Sequence, residues 1–343
     1  MSLYVDIQKT FGSFSLNVKL QAEDEVLALL GASGSGKSLT LKCIAGIEKP
    51  DRGKIVLDGV TLFDSEQGIN LPPQKRKVGL LFQNYALFPY MTVLENIETG
   101  FKREKKVKKR KEMVKNMAEI FGLTAISDLY PHQISGGEQQ RVALARVLAS
   151  EPNILLLDEP FSALDSHLRF RLEQEVRQTL RQFGKTVLLV SHDRDEVYRM
   201  ADSIALLENG KIDTIGEKKY VFASPKSRNG AILTGCKNIS EIQWTDENTL
   251  FASDWGITLK VPKTDAAYVG IRMHHIQPGQ GENTLRCRVV EEIENPFSFT
   301  IMLEYQEGKV PIAWELDKDQ WQKIKAEEVD VHIPSDAILL LKE

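Results

Sequence analysis

The chain is predicted to fold as an α/β domain followed by a smaller all-β domain, and three observations carry that prediction. Short apolar runs such as Val26-Leu27-Ala28-Leu29-Leu30, Ile154-Leu155-Leu156-Leu157 and Val187-Leu188-Leu189-Val190 have the length of buried strands. Segments with helical periodicity alternate with them, which implies a largely parallel sheet covered on both faces. From Gly235 to Glu343 the texture changes to short alternating segments, the spacing of a small barrel or sandwich.

With 343 residues there is chain for about two domains, and we expect them at 1–232 and 233–343. The 44 Lys and Arg against 48 Asp and Glu leave a net charge of −4, which argues against a dedicated nucleic-acid binder. Cys43, Cys236 and Cys287 are too far apart for a CxxC metal site and fit a reducing compartment. No apolar run approaches the ~20 residues of a membrane helix, so a membrane role requires a partner.

Taken in order, Leu3 to Ile7 alternates like a half-buried strand, and Phe11 and Phe14 lie in a Gly-containing turn. Val26 to Leu30 leads into Gly31-Ala32-Ser33-Gly34-Ser35-Gly36-Lys37-Ser38, and Leu39 onward is helical. Lys54 to Leu57 reads as a strand, and Val78 to Phe82 as a short buried strand that ends at Gln83. A helical insertion spans about 88–150. Within it Thr92 is a candidate N-cap, eight Lys and Arg lie between Lys102 and Lys111, and Met113, Met117, Ile120 and Phe121 mark an apolar face. The sheet pattern resumes at Ile154, with a helix from Ser166 to Phe183, strands over 186–190 and 203–207, and a hairpin turn at Asn209-Gly210.

The G-x-x-x-x-G-K-S spacing of Gly31 to Ser38 is a P-loop pattern. Its backbone N–H groups wrap phosphates, Lys37 reaches the terminal phosphates and the Ser38 hydroxyl suits Mg²⁺. Glycine is required where a Cβ would hold the backbone off the anion. Asp158 closes an apolar strand and is a candidate Mg²⁺ carboxylate. Glu159 must point elsewhere, because side chains alternate along a strand, and is the candidate general base. Gln83 can orient a water and reach the metal without competing for a proton. His192, after the next strand, can donate to a phosphate oxygen. Ser135-Gly136-Gly137-Glu138 opens a second helix whose bare N–H groups and dipole also suit an anion.

Together these motifs resemble the ATP-binding-cassette ATPases. The resemblance covers the P-loop at 31–38, Gln83 as Q-loop, Ser135-Gly136-Gly137 as signature, Asp158-Glu159 as Walker B, Ser162 to Asp165 as D-loop and His192 as H-loop. It implies a mixed-sheet nucleotide-binding cassette that works as a head-to-tail homodimer. ATP and Mg²⁺ would lie between the P-loop of one copy and the signature of the other, with the base stacked on Phe11. The signature departs from the usual Leu-Ser-Gly-Gly-Gln at Ile134 and Glu138.

The tract around Leu71 to Pro89 is similar to the bacterial importer branch, and Tyr85, Leu87, Phe88 and Tyr90 lie where importers seat a permease helix. Val269-Gly270-Ile271-Arg272-Met273-His274-His275-Ile276 is similar to a motif of the oligomer-binding-fold regulatory domains of importer ATPases. Thr234 to Ser240 and Leu62 to Ile69 look most like molybdate or tungstate importers; sulfate, iron, polyamine and sugar importers stay open, as does a soluble cassette regulator. The implied partners are permease subunits and, through them, a solute-binding protein; the chain itself is expected at the cytoplasmic face of the membrane.

Overall fold

The computed structural model describes residues 2–101, 104–162, 166–306 and 308–343, with the backbone alone for 166–168. It divides into two compact units, Met1–Lys218 and Lys219–Glu343.

The first unit is built on one sheet. Its elements are β1 (Ser2–Phe11), β2 (Phe14–Glu23), β3 (Val26–Leu30), α1 (Lys37–Ala45), β4 (Arg52–Leu57), β5 (Val60–Asp64), β6 (Ile69–Asn70) and β7 (Val78–Leu81). There follow α2 (Val93–Glu98), α3 (Val107–Ile120), α4 (Gly136–Leu148), β8 (Ile154–Asp158), α5 (Ser166–Phe183), β9 (Val187–Ser191), α6 (Arg194–Met200), β10 (Ser203–Glu208) and β11 (Lys211–Glu217). The strand order is β6-β5-β4-β1-β2-β11-β10-β3-β9-β8-β7.

Strands β10, β3, β9, β8 and β7 run parallel. Strands β8 and β9 are buried at every residue, as a sheet covered on both faces requires. The remainder corrects the expectation of a largely parallel sheet. Here β1 pairs antiparallel with β2 and β4, β4 with β5, and β5 with β6. In β2, Leu16, Val18, Leu20 and Ala22 are buried and the residues between them are exposed, a period of two that commits one face to the core.

The helical insertion has its own core, which includes Val93, Ile97, Val114, Ala118, Val142 and Ala145. Thr92 and Glu95 form a reciprocal capping box at the start of α2. On α3 the buried residues are Val114 and Ala118, whereas Ile120 is 73% exposed, so Ile120 does not belong to the apolar face expected for it. Helix α4 meets its neighbours at glycines. A Cβ on Gly137 would stand 2.8 Å from Leu172 Cδ1 of α5, and one on Gly79 of β7 would stand 2.7 Å from Val147 Cγ1 of α4.

The second unit contains α7 (Lys218–Ala223, from its second residue), α8 (Arg228–Leu233), β12 (Asn238–Asp246), β13 (Thr249–Ala252), β14 (Ile257–Lys260), β15 (Tyr268–Ile271) and β16 (Gln277–Pro278). It continues with β17 (Thr284–Glu294), β18 (Ser298–Glu304), β19 (Ile312–Asp317), α9 (Lys318–Ile324), β20 (Glu328–His332) and β21 (Ile338–Leu341). Two five-stranded antiparallel sheets, β14-β13-β12-β15-β21 and β16-β20-β17-β18-β19, enclose a core that includes Trp255, Trp314 and Trp321. This is the all-β architecture expected.

The units divide at Lys218, 14 residues before the boundary expected after 232. The α7–α8 segment is tied to this unit by Arg272, whose buried guanidinium donates to the carbonyl oxygens of Phe222 and Thr234, and by backbone bonds between Lys226, Arg228 and Lys342. All three cysteines are buried and free. No described helix is long and apolar enough to cross a membrane.

Candidate functional site

The four parallel strands β3, β9, β8 and β7 are adjacent, so the segments leaving their C-terminal ends are neighbours, the usual ligand position in an open α/β sheet. Those segments are the Gly31–Ser38 loop, Ser191-His192, Asp158-Glu159 and the approach to Gln83. Four stretches far apart in sequence thereby meet at one edge.

A cleft of about 530 Å³ lies there, lined by Phe11, Phe14, Ser33, Gly34, Gly36, Lys37, Ser38, Leu39, Lys42, Glu48, Gln83 and Glu159. Gly34 and Gly36 have φ of 81° and 104°, left-handed values that glycine adopts without cost. A Cβ on Gly36 would stand 2.6 Å from Leu16 Cδ1, and one on Gly31 would stand 2.3 Å from the Leu207 carbonyl oxygen. The loop therefore has no room for side chains at these positions. Lys37 Nζ donates to the carbonyls of Gly31 and Ala32, at 2.8 and 2.9 Å. Burial lowers the Lys37 pKa, opposed by the nearby Glu159 and Asp158 carboxylates.

Ser38 Oγ donates to Asp158 Oδ1 at 2.7 Å. Burial, joined by the charge of Glu159, raises the Asp158 pKa, while the Ser38 bond lowers it. Hydroxyl and carboxylate together form a hard-oxygen pair of the kind Mg²⁺ takes alongside phosphate oxygens.

Glu159 turns away from the pleat through a φ of 46°, a strained value for a residue with a Cβ. Its N–H donates to the Val190 carbonyl at 3.0 Å. The carboxylate lies 3.2 Å from His192 Nδ1 through one oxygen and accepts from Gln83 Nε2 at 3.2 Å through the other. Gln83 Nε2 also donates to Ser162 Oγ at 3.2 Å, and Ser162 Oγ donates to the Glu159 carbonyl at 3.0 Å. The three residues selected for catalysis thus form one chain, Gln83–Glu159–His192. Ser162, which the resemblance makes the first residue of the D-loop, belongs to it too.

Phe11 is 65% exposed at the cleft, as a ring available for stacking must be. Phe14, Lys42 and Glu48 line the cleft without having been singled out. Gly31, Ala32 and Ser35 belong to the loop, and Asp158 and His192 to the adjoining strand ends, but these five do not line the cleft. Ser135, Gly136, Gly137 and Glu138 lie outside this cleft, at the start of α4. There Glu138 Oε2 accepts from Ser135 N at 2.8 Å and Ser135 Oγ at 2.7 Å, bonds that hold the Glu138 pKa below its usual range. Asp165 lies outside the described residues.

The apolar tract after Gln83 needs a correction. Tyr85 is only 4% exposed and donates its hydroxyl to the Pro160 carbonyl at 3.3 Å, and Leu87 packs on the helical core. The outward residues are Phe88, 45% exposed, and Tyr90, 92% exposed. Asn96 holds this loop: its Oδ1 accepts from Phe88 N at 2.8 Å, and its Nδ2 donates to the carbonyls of Phe88, Met91 and Thr92.

A family model described as "ABC transporter" matches residues 14–162. The chain is 43% identical over 238 residues to the Fe(3+) ions import ATP-binding protein FbpC of Haemophilus influenzae, covering 69% of this chain and 66% of that protein. It is 40% identical to the molybdenum import ATP-binding protein ModC of Paramagnetospirillum magneticum, covering 66% of this chain and 62% of that protein. A protein named probable sulfate/thiosulfate import ATP-binding protein CysA, from Chlorella vulgaris, is 43% identical, with 66% of this chain and 95% of that protein covered. The matched region thus spans slightly less than two thirds of the first two relatives. A solved dimer of the ATP-binding cassette MJ0796, in a post-hydrolysis state bound to ADP and Pi, superposes with a TM-score of 0.54 at 30% identity, over 64% of this chain and 99% of that one. Motif order, strand-end geometry and relatives agree: the chain belongs to the ABC transporter family.

Proposed function

We propose that the chain is the ATP-hydrolysing subunit of an import complex. The observation that carries this reading is the convergence of the P-loop, the Ser38–Asp158 pair and the Gln83–Glu159–His192 chain at the ends of four adjacent parallel strands. ATP is the substrate. Its phosphates lie on the loop from Gly31 to Ser38 with Leu39 behind it, and its base lies against Phe11. Ser38, Asp158 and Gln83 would hold Mg²⁺, which supplies charge neutralisation on the β- and γ-phosphates when bound.

The chain's own groups then divide the work. Lys37 balances phosphate charge. Gln83 orients the attacking water, and Glu159 accepts its proton as oxygen bonds to the γ-phosphorus and the bond to ADP breaks. His192 donates to a γ-phosphate oxygen while resting on Glu159. Ser135, Gly136, Gly137 and Glu138 serve the nucleotide of a second copy, and Asp165 lines that interface. The complete site therefore requires a homodimer.

Coupling to transport is assigned to Phe88 and Tyr90, the exposed part of the tract after Gln83, as a seat for permease subunits at the cytoplasmic face of the membrane. A solute-binding protein acts through the permease. The relatives named for iron, molybdenum and sulfate support an import role in common and favour none of these solutes over the others. Molybdate or tungstate rests on the local motifs at 62–69 and 234–240 alone.

Glu159→Gln tests the chemistry. The variant is expected to bind ATP and dimerise with turnover lowered at least ~100-fold, on the scale of removing a positioned general base. Hydrolysis at the wild-type rate would remove Glu159 from its role. Co-purification with the membrane protein encoded beside this chain tests the importer reading.

A further inference from the structure

Helices α5 and α6 are joined by charged side chains directly behind His192. On α5, Glu173 is 1% exposed and makes a two-pronged pair with Arg199 of α6, at 2.7 and 3.0 Å. One turn earlier, Arg169 Nη1 donates to Asp193 Oδ2 at 3.1 Å. The other oxygen of Asp193 caps α6, accepting from the N–H groups of Asp195 and Glu196 at 2.9 and 3.0 Å. The backbone N–H of Asp193 donates to Ser191 Oγ at 3.0 Å, closing a turn around His192. Ser191 is itself the last residue of β9, in register with Leu30 of β3.

His192 stands between two anchored residues, Ser191 in the sheet and Asp193 on the cap. Its side chain is 54% exposed, so surrounding packing does little to hold the ring. Its reach to Glu159 depends on the backbone of the turn, and therefore on Asp193. Asp193 in turn has one carboxylate oxygen for the cap and one for Arg169, so the turn is referred to α5 as well as to α6. The second pair, Glu173–Arg199, fixes α6 to α5 so that Arg169 approaches Asp193 at a set position. Charge-assisted bonds of this kind are stronger than neutral ones and so hold geometry more closely.

We propose that Arg169 is a positioning residue for His192, acting through Asp193, and that the α5–α6 ion pairs set the His192–Glu159 contact. This rests on the reading of His192 as a group that touches the γ-phosphate. A displacement of about 1 Å at a reacting centre costs on the order of 100-fold in rate, which gives the scale available to a residue that never touches substrate.

The test is Arg169→Met with Arg169→Lys beside it, each in the full chain. Arg169→Met removes the charge and keeps the aliphatic stem. We expect kcat for ATP to fall by about tenfold or more while KM stays within about twofold, because the phosphate loop is untouched. Arg169→Lys keeps the charge at one point and is expected to recover kcat to within about threefold of wild type. Unchanged kcat in Arg169→Met, or kcat and KM failing together in both variants, would overturn the proposal. The two-dimensional NMR cross-peak of the His192 ring gives a reading that needs no turnover. It is expected to shift in Arg169→Met and return toward wild type in Arg169→Lys, and a peak that stays put in both also overturns the proposal. If the wild-type chain hydrolyses no ATP, the functional reading fails, while the ring's response still decides whether Arg169 positions it.

Discussion

Ser38 Oγ and Asp158 Oδ1 lie 2.7 Å apart although 120 positions separate them in the chain. Strand β8 brings the carboxylate to the edge of the sheet, and α1 presents the hydroxyl in its first turn. Asparagine at 158 can still accept the Ser38 bond but carries no charge. Asp158→Asn is therefore expected to fold normally and melt at or above the wild-type temperature, since a buried charge has been removed. Its Mg²⁺ affinity in nucleotide binding, measured by titration calorimetry across Mg²⁺ concentrations, is expected to fall by about tenfold or more, so that more Mg²⁺ is needed.

Glu138 sits where the resemblance calls for glutamine, and its carboxylate is bonded to the Ser135 N–H and hydroxyl. Glutamine retains the capping box but removes one negative charge from the surface proposed to face the second copy's phosphates. Glu138→Gln in a Glu159→Gln background is expected to tighten the ATP-bound dimer by about three- to tenfold, the effect of one screened charge. Sedimentation velocity with ATP checks this.

Glu196 is 3% exposed, with one carboxylate oxygen lacking a hydrogen-bond partner. Burial, reinforced by the charges of Asp193 and Glu173 and opposed by Ser191 and Arg169, pushes its pKa up to about 8 from an ordinary 4.5. A folded-state pKa above the unfolded one means that the folded chain binds the extra proton. Stability tied to this group is whole below pH 4.5, drains away as pH rises, and is fully lost above about pH 8. Urea unfolding at pH 5.5, 7 and 8.5 is expected to show wild type losing stability relative to Glu196→Gln, by at most ~1.4 kcal/mol per pH unit.

Arg76 is 1% exposed and faces the C-terminal end of α1. It donates to the carbonyls of Cys43 and Ile44 at 2.9 Å and of Leu71 at 2.7 Å, and to Asn70 Oδ1 at 2.8 Å. The unsatisfied carbonyls of the helix end balance its charge. Arg76→Met removes all four bonds, leaving the Cys43 carbonyl only the Gly46 N–H, and is expected to cost ~3 kcal/mol or more in chemical denaturation.

The parallel half of the sheet was legible because its strands are buried on both faces and read as unbroken apolar runs. Strand β2 was missed, although Leu16, Val18, Leu20 and Ala22 alternate with polar Asn17, Lys19 and Gln21 just as Leu3 to Ile7 alternate in β1. Strands β5 and β6 pair with their sequence neighbours, but at five and two residues they are too short to carry a clear periodicity. The candidate site was legible where each polar residue follows an apolar run, as Gln83, Asp158 and His192 do. Tyr85 was misread because it and Ala86 take φ of 59° and 44°, values that residues with a Cβ rarely adopt. That turn sends the ring inward to Pro160, against what an aromatic in a loop suggests. Asn96 escaped notice because its four bonds go to backbone atoms of a loop that the sequence left unshaped.

The glycine contacts of α4 have a mechanical consequence. Ordinary helix packing meshes side-chain ridges with grooves. At Gly137 against Leu172 and at Gly79 against Val147, one of the two surfaces is bare backbone. Leu172 Cδ1 and Val147 Cγ1 occupy the space a Cβ would take, so α4 sits closer to α5 and to β7 than any residue with a side chain would allow. An alanine at either glycine would have to push these contacts apart. The helix that opens at Ser135 is thus held at a spacing that only glycine permits.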